Sequence, residues 1–265
     1  VNLRALKKRL ASLRTPVQMP FFQYWDSPNV PEDVRVLIDG FARANPSLAH
    51  RLYDRKSGRE FIRKHFGHRE LAAFDACAVS AMQADYLRLC LIYADGGLYL
   101  DADIAPVEPL DTLVASAPFG LLSRRGLLVN NATIFFRNPR DLFLGACLTV
   151  VTDNILNRRF DDIIAVSGPG PISAIACIIE PRMLRVAERL IERGKSPFGP
   201  YWPELLDVAK HLVPLTSELV AAWSRITIIG FEDAERWCRY DTNLDYKKGG
   251  HWTQHRGSIY LENGA

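Results

Sequence analysis

The chain has 265 residues, 33 Lys and Arg against 30 Asp and Glu, and a formal net charge of +3. That length suits one sizeable α/β domain with its own core, and 48% hydrophobic with 24% charged residues is ordinary for a globular protein. No basic patch is dense enough for nucleic acid, and no run nears the roughly eighteen uninterrupted apolar residues of a membrane span.

The charge is uneven. Residues 1–14 hold Arg4, Lys7, Lys8, Arg9 and Arg14 with no acid, leaving 28 basic against 30 acidic residues elsewhere. Leu3, Leu6, Leu10 and Leu13 recur at helical spacing, so this stretch reads as a basic amphipathic helix. Such a helix either packs on its own domain or lies on an anionic membrane near a lipid-linked acceptor. Residues 15–265 read as a single domain. No signal peptide is visible, although a chain starting at Val1 leaves a removed segment open. Five cysteines (Cys77, Cys90, Cys147, Cys177, Cys238) are scattered without a Cys-x-x-Cys pair. They predict buried thiols in a reducing compartment, hence a cytoplasmic location, with peripheral contact at the inner membrane face through residues 1–14.

A strand is expected from Met19 to Trp25, ended by Ser27, Pro28 and Pro31. Pro31 opens a helix reaching Asn45-Pro46, with Val34, Leu37, Ile38 and Phe41 as its apolar stripe. A strand at Leu48–Tyr53, then Asp54 and a helix from about Ser57 to Phe66, give the alternation of a parallel sheet. Ligands of such sheets sit at the carboxyl ends of the strands, where Trp25, Asp54, Asp101 and Asp103 all fall. An aromatic at Trp25 either stacks on a base or packs on the strand.

The central stretch follows. A helix over about Ser80–Ala94 is apolar on most sides yet carries Asp85 and Arg88 at i and i+3, either a structural ion pair or part of a site. Gly96-Gly97 breaks it, and a β-prone segment runs to Asp101-Ala102-Asp103. On a strand, residues i and i+2 share a face, so the two carboxylates are expected side by side, repelling each other. Mg²⁺ held by carboxylates and substrate phosphates would relieve that repulsion. The bland alternative is a solvated Asp-x-Asp turn.

Further along, Phe119–Leu122 and Thr133–Phe136 read as strands joined by Ser123-Arg124-Arg125-Gly126, with Asn130-Asn131 starting the second. Asn138-Pro139 is expected to cap a helix to about Thr152. The Ser167-Gly168-Pro169-Gly170-Pro171 turn precedes the apolar run Ile172–Ile179, and residues 181–193 form an Arg-Glu-rich helix. The loop from Lys195 to Pro203 offers Phe198, Tyr201 and Trp202 either as a sugar-stacking platform or as a plug over the core. A Gly249-Gly250 hinge then brings His251, Trp252, His255 and Arg256 before a final strand, Ser258–Leu261.

The runs Ala84-Asp85-Tyr86-Leu87-Arg88 and Tyr93-Ala94-Asp95-Gly96-Gly97-Leu98-Tyr99-Leu100-Asp101-Ala102-Asp103, with Pro106 and Pro109-Leu110, resemble the sugar-binding region of the DXD-motif glycosyltransferases. The resemblance is to the yeast-type DXD mannosyltransferases and bacterial capsular polysaccharide sugar transferases. The spacing of Asp85, Arg88, Tyr99, Asp101 and Asp103 is also similar to that of the large clostridial glucosylating toxins. It implies a GT-A, Rossmann-like α/β domain with the DXD at a strand end. By the same resemblance Asp85, Arg88, Asp101 and Asn131 are the expected catalytic groups. Gln23, Tyr24, Trp25, Gly97, Tyr99 and Trp252 would join Asp85, Arg88 and Asp101 around the donor. Asp103 and His251 would hold Mn²⁺ or Mg²⁺, while His255 and Arg256 could offset diphosphate charge. The Ser167-Gly168-Pro169 loop would border the acceptor side.

The implied reaction is retaining transfer of a hexose from a nucleotide sugar, UDP-hexose first and GDP-mannose second. The acceptor would be a hydroxyl of a glycan, lipid or protein, in bacterial surface polysaccharide or glycolipid synthesis. A catalytically inactive sugar- or nucleotide-binding protein and a DxD phosphatase are the alternatives. A phosphatase of that type usually carries Thr or Val where Ala105 stands, and the motif lies far from the N-terminus.

Overall fold

The computed structural model describes residues 18–196, 198–240, 242–248 and 251–261. The expected helix over residues 1–14 and the Gly249-Gly250 hinge lie outside these.

Strand β1 (Met19–Tyr24) is followed by α1 (Glu32–Ala44), with Pro31 at its N-cap, then β2 (Leu48–Tyr53) and α2 (Arg55–His65). Asp54 caps α2 by accepting from the Ser57 amide at 2.7 Å, so this strand-end carboxylate is spent on its helix. A short helix that the sequence reading did not anticipate, α3 (His68–Ala76), leads into α4 (Ser80–Asp95). Gly96 ends α4 at φ +68, and β3 (Gly97–Leu100) begins at once. The bridge segment β4 (Ala105–Pro106) and α5 (Asp111–Ser116) precede the hairpin of β5 (Gly120–Arg125) and β6 (Leu128–Phe136). Ser123, Arg124 and Arg125 therefore belong to β5, and Asn130-Asn131 lies within β6 instead of opening it.

The helices α6 (Leu142–Leu156), α7 (Ile163–Val166), α8 (Pro169–Ile179), α9 (Pro181–Glu192), α10 (Trp202–Leu212) and α11 (Ser217–Ser224) form the second half. Asp141, two residues beyond the expected Asn138-Pro139, caps α6 by accepting from the Phe143 amide at 2.8 Å. The chain closes with β7 (Ile226–Gly230), α12 (Phe231–Ala234), β8 (Cys238–Arg239) and the turns beyond. In place of the expected terminal strand, Tyr260 makes an isolated antiparallel bridge to Cys77.

The sheet order is β2-β1-β3-β6-β5-β7. β2, β1 and β3 run parallel, as the alternation predicts, but β6 is antiparallel to both β3 and β5, and the sheet is mixed. A hairpin loop cannot return a strand parallel to its predecessor, so β5 and β6 oppose. Side chains alternate across the sheet: Phe22, Tyr99, Leu122, Ile134 and Phe136 join the larger core under α4, α6, α8 and α10, whereas Phe21, Leu98, Leu121 and Phe135 join the smaller one on the other face. Both faces are dry, which is why the strands read as near-continuous apolar runs. Phe198 and Trp202 are buried in the larger core, so the Lys195–Pro203 aromatics act as the plug. All five cysteines are free and buried. Among the described residues no helix is long and apolar enough to cross a membrane.

Candidate active site

The parallel strands β1 and β3 end at one rim of the sheet. There Trp25, Asp26, Asp101 and Asp103 border a cleft of about 380 Å³, whose opposite wall is formed by Ile163, Ile164, Gly168 and Pro169.

Arg88 on α4 organises its floor. The helix is buried over most of its circumference, so its charged pair needs internal partners. Arg88 donates through Nη1 to the Asn131 carbonyl at 2.6 Å, through Nη2 to Asp101 Oδ1 at 2.8 Å and through Nε to the Ala84 carbonyl at 3.2 Å. Nη2 also lies 3.1 Å from Asp85 Oδ1, and the guanidinium sits 4.6 Å from the Tyr99 ring centre. Asp85 accepts from Asn131 Nδ2 at 2.8 Å and from Ser167 Oγ at 3.1 Å. Burial raises the Asp85 pKa while Arg88 and these donors pull it down.

The Asn131 carbonyl is free for Arg88 because the hairpin is irregular at this point. Leu122 of β5 pairs with Ile134 but Ser123 pairs with Asn130, so Asn131, Ala132 and Thr133 bulge out of the ladder. Bulges re-aim side chains beside sites, and this one carries Asn131 to Asp85 and the Ala132 carbonyl to the Asp101 amide at 3.0 Å.

β3 stops at Leu100, and Asp101 and Asp103 occupy a turn in which the Ile104 amide approaches the Asp101 carbonyl at 3.4 Å. They are therefore not strand neighbours on one face, as the i, i+2 spacing suggested. The turn still leaves them close enough for Asp103 to act on Asp101. Burial first, and then the nearby Asp103 and Asp85 carboxylates, push Asp101 up to about 7, against the pull of Arg88 and the Tyr99 hydroxyl that donates to it at 3.1 Å. Asp103 Oδ2 accepts from Tyr246 Oη at 2.6 Å and pairs with Lys247 Nζ at 2.9 Å.

Of the residues singled out by sequence, the cleft gathers Tyr24, Trp25, Asp85, Arg88, Tyr99, Asp101, Asp103, Asn131, His251 and Trp252. Gln23 does not line it: the side chain is buried against His50 at 3.0 Å, the neighbouring strand having claimed it. Gly97 does not line it either. At φ +104 its missing Cβ makes room for the Pro20 carbonyl, 2.4 Å from where that atom would stand. The Tyr24 hydroxyl is spent on Gln83 at 2.6 Å, leaving its ring as wall. His251 faces the cleft with Nδ1 2.8 Å from Thr253 Oγ1, and among the described residues it does not join Asp101 and Asp103 in a three-ligand cluster. His255 and Arg256 are exposed and bond backbone carbonyls of their own loop. The sequence reading missed Asp26, Tyr246 and Lys247. The only signal for the last two was their position just before the Gly249-Gly250 pair.

The donor set suits a divalent cation. Two carboxylates border the cleft: Asp103 already binds an ammonium, and burial and the neighbouring Asp103 push Asp101 up in spite of its Arg88 partner. With no cage of three protein ligands among the described residues, such an ion would complete its shell from substrate phosphates and water.

Residues 31–120, which include Asp85, Arg88 and the Asp101-Ala102-Asp103 turn, match the family model described as "Glycosyltransferase sugar-binding region containing DXD motif". The matched stretch is similar to the sugar-binding region of the DXD-motif glycosyltransferases. The expected α/β arrangement, with the Asp-x-Asp following a central strand, is the one observed. Among solved structures, the chain is similar to the "PaToxG Glycosyltransferase" at 14% identity and TM-score 0.48, covering 79% of this chain and 92% of that one. It is also similar to the ligand-free glycosyltransferase domain from the YGT toxin, at 9% identity and TM-score 0.41, covering 80% and 79%. No curated protein matches the chain.

Proposed function

We propose that this glycosyltransferase moves a hexose from a nucleotide-sugar donor to an acceptor hydroxyl, with Mn²⁺ or Mg²⁺ bound at Asp103 and Asp101. The observation that carries this reading is the Arg88 clamp. One guanidinium fixes Asp85, the Asn131 carbonyl and Asp101 together in the cleft that Trp25, Tyr246 and Trp252 also line.

The roles follow from this arrangement. Trp25 and Trp252 offer faces to the base and donor, and the contact of Trp25 with Tyr246, 5.1 Å between ring centres, narrows the mouth. Asp85 and Asn131 present oxygen and amide to sugar hydroxyls, while Arg88 holds them rigid because its own donors are turned inward. A fixed ring lets the acceptor attack one carbon from one direction. When bound, the divalent ion would act as a Lewis acid and stabilise the diphosphate leaving group. Retention is implied by the resemblance, and because Asp85 is buried and doubly hydrogen-bonded, poorly placed to form a covalent intermediate, a retaining transfer here would run through attack on the face that the diphosphate leaves. Determining the anomeric configuration of the product tests this, and an inverted centre would refute it.

By resemblance, UDP-hexose is the first donor and GDP-mannose the second. The product is a bacterial surface polysaccharide or glycolipid, made in the cytoplasm with residues 1–14 touching the inner membrane face. The apolar wall of Ile163, Ile164 and Pro169 suits the acceptor side. Thermal shift and donor hydrolysis against UDP- and GDP-sugars with Mn²⁺, on wild type and Asp103→Ala, test the reading. One donor should stabilise the wild type only with metal, and Asp103→Ala should abolish both that shift and hydrolysis. Absence of binding by every nucleotide sugar with every metal would return the inactive and phosphatase readings.

A further inference from the structure

The cleft has a charge problem. Among the described residues, its lining includes Asp26, Asp85, Asp101 and Asp103 but only one fixed positive charge, Arg88. That guanidinium is buried and donates to Ala84, Asn131 and Asp101, so it has little left for a phosphate. A nucleoside diphosphate entering this cleft meets repulsion, and one divalent ion shared between two carboxylates and two phosphates only partly offsets it.

Among the described residues, Lys247 brings an ammonium to the DXD turn. Its Nζ lies 2.9 Å from Asp103 Oδ2 and 2.9 Å from Thr242 Oγ1, and its side chain is only 24% exposed. The adjacent Lys248 points outward, 66% exposed and paired with Asp245. Lys247 belongs to the segment that supplies Tyr246 to the cleft mouth, and that segment is moored below by Leu244 against Val34 and Ala102. The Thr242 hydroxyl donates to the Asp103 carbonyl at 2.6 Å, so the ammonium is anchored beside the DXD turn from two directions.

We propose that Lys247 is the protein's own cation for the donor diphosphate, parked on Asp103 in the free protein and transferred to the phosphates when donor and divalent ion claim that carboxylate. This rests on the nucleotide-sugar reading above. A lysine suits the role because its ammonium is a compact point charge on a flexible four-carbon stem, able to change partners without moving the backbone. Until the ion arrives, the same ammonium blocks the carboxylate that would bind it. Lys247 therefore competes with metal in the free protein and cooperates with it in the donor complex.

The test compares wild type, Lys247→Gln, Lys247→Arg and the outward control Lys248→Gln, each first confirmed folded by thermal unfolding in EDTA. Calorimetry measures UDP and GDP binding in saturating Mn²⁺, and electron paramagnetic resonance measures Mn²⁺ binding without nucleotide. Loss of one charged phosphate contact predicts nucleotide binding weaker by about tenfold in Lys247→Gln, with Lys247→Arg largely restored and Lys248→Gln unchanged. Free Mn²⁺ should bind Lys247→Gln more tightly than wild type. Equal nucleotide affinity for wild type and Lys247→Gln overturns the proposal while leaving the donor reading intact. Failure of wild type to bind either nucleotide with Mn²⁺ overturns both.

Discussion

Arg88 is one of the side chains whose replacement should cost most, because it serves four groups at once. A lysine keeps the charge but cannot reach Ala84, Asn131 and Asp101 together in a planar fork. Arg88→Lys should lower stability by about 2 kcal/mol in urea unfolding and donor hydrolysis by at least about tenfold, since buried acceptors are left without donors. Asp101 supplies the pH dependence. Its folded pKa of about 7 lies above the usual carboxylate value, so the folded protein binds that proton more tightly than the unfolded chain. Stability from this group is present at low pH and is lost as pH rises towards about 7. A divalent ion bound as proposed would compete with that proton, so the melting-temperature gain on adding Mn²⁺ should be larger at pH 8 than at pH 5.5, read by calorimetry at both.

At the scale of elements, the β1–β3 junction and the β6 bulge place these side chains. Gly97 sits at φ +104 with the Pro20 carbonyl where a Cβ would go. Gly97→Ala should therefore destabilise by more than about 1 kcal/mol from backbone conformation alone, with the clash adding to it, and chemical denaturation measures the sum. Because β3 feeds directly into the DXD turn, the same variant should also weaken Mn²⁺ binding without touching any cleft side chain. The bulge at Asn131–Thr133 does for β6 what the glycine does for β3. Neither device is a property of its segment alone, since each exists to fit a neighbouring strand or helix.

Over the whole molecule, the C-terminal segment crosses from β8 to the cleft and ties the last part of the chain to the first. The Asp245 amide donates to Asp33 Oδ2 at 2.7 Å, while Tyr246 and Lys247 hold Asp103. Asp103→Ala removes the last two contacts but keeps the Thr242 bond to the backbone carbonyl. Hydrogen exchange of residues 242–248 should accordingly quicken in Asp103→Ala relative to wild type, with little change in α8 or α10, which pack in the core. Unchanged exchange would mean that this segment is held by its apolar contacts instead.

Much of this protein is legible in the sequence. Periodicity and punctuation mark β1, α1, β2 and α4 to within a residue or two, because Pro31, Pro46 and Gly96-Gly97 act on their own backbone. The grouping of Asp85, Arg88, Asp101 and Asp103 is legible because helix spacing and a short strand bring them together locally. What stayed hidden needed partners distant in the chain. The antiparallel place of β6, the loss of Gln23 to His50, the turn that replaces a shared strand face for Asp101 and Asp103, and the arrival of Tyr246 and Lys247 some 140 residues downstream are all settled by packing. Local sequence determined which groups carry charge and where the chain bends. Only the tertiary structure decided which charges meet, because a carboxylate's partner is set by distance in space, and the side chains that bond Asp103, Tyr246 and Lys247, are far from it along the chain.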